Sequence, residues 1–298
     1  MDTCRIRNLA GRESGHDSCP SEAMPFVGQA RDDLAVRFWP VVSFRREPSR
    51  QEDAVSLPNI TSREQWLVAR RQLLVREKEL TRQRDALNAD RRRLPMVEID
   101  TNYVFEGPDD AVGLIDLFAG RSQLIIQHIM FDPSWQAPCP GCSAALDEMA
   151  PGMLRHLESR DTSFAGISRA PYAKLASAKA DRGWPLDWYS SYGSDFNYDF
   201  AATLDPAVTP ALYNYQTPEE AAADPDPVTK SMEIPGVSCF VRDGQRIFHT
   251  YSTFARGTDQ IGNAYSLLDL TAFGRSENWE EPKGRVAKPH GADPTFTD

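Results

Sequence analysis

The spacing of apolar residues predicts a long helix early in the chain. Between Thr61 and Pro95 there is neither glycine nor proline, and a large apolar residue recurs at every seventh position. A capping sequence opens this stretch, so we expect one helix with a narrow apolar seam. The seam residues are Trp66, Leu73, Leu80, Leu87 and Leu94. Such a seam suits packing against the rest of the domain, or pairing with a second copy as a homodimer through residues 62–94.

After Pro95 the pattern changes to short strands that alternate with helices. In chain order we expect a strand pair (97–105), a short helix (114–118), a strand (123–130), a helical stretch broken near residue 151 (142–159), a strand (163–168), a helix (171–183), a hairpin (237–251) and a last helix (259–270). The strand at 123–130 is too apolar to be half exposed, which predicts a central position. This order predicts an α/β, thioredoxin-like fold in which helices flank a central mixed sheet.

The two ends of the chain have a different character. Residues 1–57 combine glycine, proline, serine and scattered charge without a clear apolar period, and residues 275–298 are similar. We expect both to be disordered. The chain between them divides into a basic helical arm at 58–96 and a thioredoxin-like domain at 97–274.

Composition and charge narrow the classes of function. Apolar residues make up 41% and charged residues 26% of the 298 positions, as in ordinary globular proteins, and the net charge is −10. An acidic protein is not expected to bind nucleic acid, although its long helix is rich in arginine. No apolar run is long enough to cross a bilayer, and residues 1–22 lack the apolar core of a secretory signal. We therefore expect a cytoplasmic protein with no membrane anchor.

Cys139 and Cys142 carry the clearest chemistry. Pro140 and Gly141 separate them, and the group follows the predicted central strand and opens a helix. Unpaired N–H groups at a helix N-terminus favour a thiolate, which predicts a lowered pKa for Cys139. The spacing brings the sulfurs within disulfide reach, so we expect Cys139 to attack a disulfide and Cys142 to resolve the mixed disulfide. The expected partners are a protein or small-molecule disulfide and a thiol electron donor.

Other interpretations of the cysteine pair are open. Zinc would need two more ligands, for which Cys239, His128 and His249 are conceivable, but a second closely spaced pair is missing and no metal is expected. No nucleotide cofactor is expected either, because phosphate-binding glycine motifs are absent. The chain could instead be a non-enzymatic binding scaffold. It could also be a peroxiredoxin-like reductase in which peroxide first oxidises Cys139 to a sulfenic acid.

Three single residues are further candidates for the site. Pro235 lies just before the predicted hairpin, where thioredoxin-like folds place a cis-proline that faces the cysteines; the alternative is an ordinary trans proline. Arg169 ends a predicted parallel strand, where sites often form, and either holds a substrate group or makes a salt bridge. His128 is either a thiolate partner or a hydrogen-bonded strand histidine.

The segment at 190–200 is unusually rich in aromatic and polar residues. It begins like a calcium-binding loop, but Phe200 stands where glycine is needed, so calcium is not expected. We expect its aromatic residues to form a lid near the cysteines. In that position Tyr192 and Asp195 would line the substrate pocket.

These segments together resemble the DUF899 family, thioredoxin-like proteins with a predicted dithiol–disulfide oxidoreductase activity. The resemblance runs from about Ile60 to Gly274, and the first fifty or so residues lie outside it. Besides the long helix, it rests on the segments DLFAGRSQLIIQHIMFDPSW, CPGCS, GISRAP, SSYGSDFNYDF, VRDGQRIFHTYSTFARGTD and YSLLDLT. The resemblance implies that Cys139 and Cys142 are the redox residues.

Overall fold

The computed structural model describes residues 57–284 except 109, 263, 273, 274, 276 and 278. The expected extension at 1–57 lies outside the described residues apart from its last residue, and so does most of the expected tail at 275–298. The helices are α1 (Arg63–Arg91), α2 (Pro140–Asp147), α3 (Pro151–Glu158), α4 (Tyr172–Arg182), α5 (Phe196–Asp199), α6 (Pro218–Ala223) and α7 (Ala264–Leu268), with 3₁₀ turns at Asp116–Phe118, Tyr213–Tyr215 and Ala255–Gln260. The strands are β1 (Val97–Glu98), β2 (Val104–Gly107), β3 (Asp110–Gly113), β4 (Gln123–His128), β5 (Thr162–Ser168), β6 (Asp187–Ser190), β7 (Thr203–Leu204), β8 (Met232–Glu233), β9 (Gly236–Asp243) and β10 (Arg246–Phe254).

Eight of these strands form one mixed sheet in the order β1-β10-β9-β4-β5-β6-β2-β3, and β7 pairs separately with β8. β4, β5 and β6 are parallel, whereas β9 runs antiparallel to β4 and forms a hairpin with β10. The neighbours β5-β4-β9-β10, with α2 and α3 in the crossover from β4 to β5, have the thioredoxin-like arrangement. The predicted fold class is confirmed, and so is the long N-terminal helix.

Each face of the sheet is covered by its own apolar core. Alternate residues of β4, Leu124 and Ile126, belong to a core with Phe196, and we call this side the aromatic face. Ile129 belongs to the second core together with Cys142, and we call this side the cysteine face. The alternation follows from strand geometry, because successive side chains point to opposite sides of a sheet.

Several predicted elements are confirmed in detail, and two are not. Ser62 caps α1 by accepting a hydrogen bond from the Gln65 N–H at 3.2 Å, and the hairpin turns at Gly244, whose φ is 60°. The predicted strand pair at 97–105 is wrong, because β1 pairs with β10 whereas β2 pairs with β3. The last predicted helix is interrupted, since a 3₁₀ turn precedes the short α7.

α1 lies on the outside of the molecule. None of its residues is buried, and the seam residues are 45–56% exposed. A helix gains most of its stability from burying an apolar stripe, and the described residues do not cover this one. Pairing of 62–94 with a second chain therefore stays a prediction. Neither α1 nor any other helix among the described residues has the length and apolar character that crossing a bilayer requires.

Candidate functional site

The cysteine pair lies where the chain passes from β4 into α2. Cys139 is the N-cap of α2, and Pro140 is its first residue, as the sequence predicts. The Cys139 N–H donates to the Met130 carbonyl at 2.9 Å. The Cys139 carbonyl accepts from the Ser143 N–H at 2.9 Å and from the Ser143 hydroxyl at 3.0 Å. These bonds hold the Cys139 backbone between the end of the central strand and the first turn of the helix.

The two thiols differ in exposure and in acidity. Cys139 is half-buried and Cys142 is buried, and they are not joined by a disulfide in this structure. A hydrogen bond from the Cys142 thiol to the Cys139 sulfur, then burial, then the charge of Cys139, raise the pKa of Cys142 well above its ordinary value. Cys142 therefore keeps its proton near neutral pH.

A cavity of about 430 Å³ opens beside the pair. This volume is typical of small-molecule sites. The cavity wall includes both cysteines, Gln127, His128, Met130, Ala145, Pro235 and Ile261. A second cavity of about 450 Å³ lies on the other side of the cysteine loop, against Lys174 and Ser177. A larger one, about 660 Å³, lies among residues 206–232 and contains none of the predicted site residues.

Pro235 is brought to the cysteine cavity by the fold. The peptide bond before it is not cis, since Glu281–Pro282 is the cis bond of the described residues. The backbone around Pro235 is tied to its neighbours: the Ile234 N–H donates to the Ala202 carbonyl at 2.8 Å, and the Pro235 carbonyl accepts from the Ala255 N–H at 3.2 Å. Of the two alternatives left open by the sequence the structure has the trans proline, at the expected location beside the cysteines.

Arg169 is not part of the cavity wall. Its guanidinium binds Asp132 at 2.6 Å and Glu233 at 2.8 Å, and it also donates to the Tyr198 hydroxyl. Burial raises the pKa of Glu233, and the charge of Arg169 opposes that shift. Of the two predicted alternatives the structure has the salt bridge, which joins the loop after β4 to β8.

The segment at 190–200 does not form a lid over the cysteines. Phe196 and Phe200 are buried in the aromatic face, with ring centroids 4.6 Å apart. Tyr192 is 53% exposed, Asp195 is the N-cap residue of α5, and neither lines the cysteine cavity. The physical reason is the spacing of the two phenylalanines, which one turn of helix places on the same side, toward the core.

His128 belongs to a buried polar chain on the aromatic face. Its Nε2 lies 2.8 Å from the Ser238 hydroxyl, which lies 2.7 Å from the Ser252 hydroxyl. The Ser252 hydroxyl lies 2.7 Å from Nε2 of His249. Burial and then the charge of His249 lower the pKa of His128 to about 3, and burial also lowers that of His249. Both rings are neutral near pH 7, and the contact of Nε2 with Ser238 makes His128 a hydrogen-bonded strand histidine. His128 also belongs to the wall of the cysteine cavity, and its Nδ1 has no hydrogen-bond partner among the described residues.

Gln127 is a polar residue of the cavity that sequence reasoning did not single out. Its side chain is 5% exposed, and its Oε1 has no hydrogen-bond partner among the described residues. Strand alternation puts it on the same side as Ile129, which is the cysteine face. The signal that could have found it is a glutamine near the end of the apolar central strand, directly before His128.

The donors considered for zinc are not gathered in one place. Among the described residues, no group of three or more His, Cys, Asp or Glu side chains is arranged to hold a metal ion. The histidine pair and the cysteine pair lie on opposite faces of the sheet. Cys239 is a half-buried thiol on β9 whose pKa is raised to about 11 by burial.

Comparison with known families identifies the chain. Residues 55–290 match the family described as bacterial protein of unknown function, DUF899. The chain belongs to this family. The resemblance seen in the sequence is therefore confirmed, while the description of DUF899 leaves the function open. No curated protein matches the chain.

Solved structures with a similar fold include peroxiredoxins. A cysteine-to-serine mutant of PrxQ from Xylella fastidiosa is 11% identical over 56% of this chain and 91% of its own, with a TM-score of 0.36. Peroxidoxin BcpB from Mycobacterium tuberculosis is 14% identical over 56% and 93%, with a TM-score of 0.38. An uncharacterised conserved protein from Geobacillus kaustophilus is 13% identical over 50% and 69%, with a TM-score of 0.29. Similarity at this level says nothing about substrate or reaction.

Proposed function

We propose that this protein is a thiol–disulfide oxidoreductase whose reactive group is the Cys139–Cys142 pair. The observation that carries the proposal is the asymmetry of the pair. Cys139 is half-buried at a helix N-terminus and at a cavity, whereas Cys142 is buried and its pKa is raised. A redox pair needs this asymmetry, because one thiol must attack the substrate disulfide, whereas the other needs only to attack the sulfur of its neighbour.

The reaction has two exchange steps. In the first, the Cys139 thiolate attacks one sulfur of a substrate disulfide, and the other substrate sulfur leaves as a thiolate that takes a proton from solvent. In the second, Cys142 loses its proton to solvent and attacks the Cys139 sulfur, and the second substrate thiolate leaves. The pair ends as a disulfide, and the substrate has gained two electrons.

The hydrogen bond between the cysteines supports this order of events. The bond to Cys139 and the charge on Cys139 both raise the pKa of Cys142 in the reduced protein. Both causes are lost when Cys139 is joined to the substrate sulfur, because that sulfur is then neutral. Burial still raises the pKa of Cys142, and the hydrogen bond with the Met130 backbone still lowers it. We therefore expect Cys142 to ionise more readily in the mixed disulfide, which is when it must attack.

A thiol electron donor closes the cycle. It attacks the Cys139–Cys142 disulfide and returns two electrons and, through solvent, two protons, so no bound cofactor is needed. The direction of net electron flow depends on the reduction potential of the pair. A cytoplasmic location fits this proposal, because thiol donors are kept reduced there.

The proposal can be tested by mass-resolved alkylation across a series of glutathione redox buffers. Cys4→Ser and Cys19→Ser would first be introduced, so that Cys139, Cys142 and Cys239 are the cysteines that remain. We expect Cys139 and Cys142 to escape alkylation together as one internal disulfide. With Cys142→Ser added, we expect a mixed disulfide to accumulate on Cys139.

Cys239→Ser is the matched control, because it removes a thiol without touching the pair and should leave the transition unchanged. The proposal fails if Cys139 stays alkylatable at every potential, or if its oxidation does not depend on Cys142. Direct consumption of peroxide with a sulfenic acid on Cys139 would favour the peroxiredoxin-like alternative. Full function of Cys139→Ser in cells would favour the scaffold alternative.

A further inference from the structure

Among the described residues, the wall of the cysteine cavity contains no Asp, Glu, Lys or Arg, and its apolar part comes from Met130, Ala145, Pro235 and Ile261. The charge expected there is that of the Cys139 thiolate. The cavity on the other side of the cysteine loop is different, since Lys174, Asp181 and Arg182 belong to its wall. The described wall of the cysteine cavity thus offers no cation that could pair with an anionic substrate.

A wall without a cation selects against anionic substrates. A carboxylate taken into this cavity would lose water, find no opposite charge among the described residues and approach the Cys139 thiolate, which is costly. Anions are further opposed by the net charge of −10. The volume of about 430 Å³ suits a small molecule better than a folded protein surface.

Gln127 adds a hydrogen-bond acceptor to the wall of this cavity, and that acceptor needs a donor. Its side chain is buried at the cavity wall, and its Oε1 accepts no hydrogen bond from the described residues. Buried acceptors nearly always have a donor, because an unmade hydrogen bond leaves the cost of desolvation uncompensated. A ligand that brings an O–H or N–H group would supply the missing donor.

We infer that the substrate is a small disulfide without an anionic group, and that it carries a hydroxyl or amide donor that binds Gln127 while Cys139 attacks the disulfide. This inference rests on the proposed function and adds the class of substrate to it. In the attack, the bond between Cys139 and one substrate sulfur forms as the substrate S–S bond breaks. The released thiolate then takes a proton from solvent.

Four disulfides of similar size separate the contributions of charge and hydrogen bonding. Bis(2-hydroxyethyl) disulfide is neutral and has hydroxyl donors, and dipropyl disulfide is neutral without them. Cystamine is cationic, and 3,3′-dithiodipropionate is anionic. The rate of mixed-disulfide formation would be followed by mass spectrometry in Cys142→Ser. Each rate would be divided by the rate of the same disulfide with a free thiolate, which removes differences in intrinsic reactivity.

We expect the hydroxyl-bearing disulfide to react about fivefold faster than dipropyl disulfide, as one hydrogen bond to a buried acceptor would give. We expect it to react at least about tenfold faster than 3,3′-dithiodipropionate, because burying an unpaired carboxylate beside the thiolate is costly, whereas cystamine should show no such penalty. In Gln127→Leu the advantage over dipropyl disulfide should vanish, while the discrimination against the anionic disulfide should remain.

Adding a cationic side chain to the cavity wall is a second test of the charge argument, because it should favour an anionic disulfide. Thr258 belongs to the cavity wall, and Thr258→Lys should raise the rate with 3,3′-dithiodipropionate relative to the neutral disulfides. Ser177→Lys is the matched control, because Ser177 lines the other cavity and its substitution should leave that ratio unchanged.

The possible failures are distinguishable. Equal normalised rates for all four disulfides would overturn the inference about substrate class and leave the oxidoreductase proposal intact. Unchanged preferences in Gln127→Leu would overturn the role of Gln127. If Cys139 reacts with none of the four and stays alkylatable in the redox series, the proposed function itself fails.

Discussion

The two faces of the central sheet both contain groups that are common in catalysis, yet they differ in access. On the cysteine face a thiol pair adjoins a cavity of about 430 Å³. On the aromatic face His128 and His249 are linked through two serine hydroxyls and packed against phenylalanine rings. The cysteine pair can meet a substrate, whereas the histidine rings pack into the aromatic core, which His128 joins while it also borders the cysteine cavity.

The difference shows that residue type alone does not identify a functional group. Histidine is the usual proton carrier near pH 7, but burial lowers the pKa of His128 to about 3 and keeps it neutral. The cysteine pair gains its chemistry from unequal exposure and from the hydrogen bond between its members. We therefore expect substitutions on the cysteine face to change the rate of thiol exchange, and substitutions on the aromatic face to change stability.

The largest effect is expected for Cys139→Ser. Disulfide exchange should fall by at least about a thousandfold, since a serine hydroxyl is not ionised near neutral pH and cannot replace the thiolate. The free energy of unfolding, measured with urea, should hardly change. A variant with a lower free energy of unfolding but unchanged disulfide exchange would contradict the assignment of thiol exchange to the cysteine face.

Arg169→Leu should cause the next largest effect, which is a decrease in the free energy of unfolding. The carboxylates of Asp132 and Glu233 would lose their cation, and removal of one partner from a buried ion group costs about 3–5 kcal/mol. Arg246→Leu is the matched control, because its salt bridge to Glu98 is exposed and should contribute less than about 1 kcal/mol. A normal unfolding curve together with lost exchange would restore Arg169 as a substrate residue.

His128→Ala should destabilise the protein by about 3 kcal/mol, because it opens a void among buried rings and leaves Ser238 with one partner fewer. Alkylation of Cys139 should keep its rate. His156→Ala, on the exposed side of α3, should change the free energy of unfolding by less than about 0.5 kcal/mol. A strong loss of Cys139 reactivity in His128→Ala would mean that the two faces are coupled.

Acid should weaken the aromatic face. The pKa of His128 is lowered from 6.5 to about 3 in the folded protein, so the unfolded chain binds the proton more tightly. The contribution of neutral His128 to the free energy of unfolding is complete above about pH 6.5. It is lost as the pH falls toward 3, by about 1.4 kcal/mol per pH unit. The difference in unfolding free energy between wild type and His128→Ala should therefore shrink by about 2 kcal/mol between pH 7 and pH 5. A constant difference would show that His128 titrates normally.

Much of this fold could be predicted because its signals are local. The absence of glycine and proline over α1, the apolar run of β4 and the Asp243–Gly244 turn each act through neighbouring residues. The cysteine pair was found for the same reason, since a strand end, a proline and a helix start lie within a few residues of it. Tyr192 and Asp195 were wrongly placed at the cysteine cavity, because the aromatic and polar segment 190–200 was expected to cover the cysteines. In the structure Phe196 and Phe200 instead anchor this segment in the aromatic core.

Other features depend on residues that are far apart in the chain. A shift in register between His249 and Tyr251 allows His249 and Ser252 to point to the same side, which simple alternation would forbid. β1 pairs with β10 across about 150 residues. The residues next to β1 or to the bulge do not specify these contacts. The contacts are stabilised by packing between segments that are far apart in the chain and come together only when the sheet forms.

By itself, the sequence determined the family, the order of the main elements and the pair Cys139–Cys142, because these are read from neighbouring residues. The tertiary structure decided which polar groups are accessible: it opened a cavity at the cysteines, left the Gln127 Oε1 without a donor among the described residues and buried the His128 ring against phenylalanines. The physical reason is that hydrogen bonding and burial depend on what packs against a side chain, and those neighbours come from distant strands.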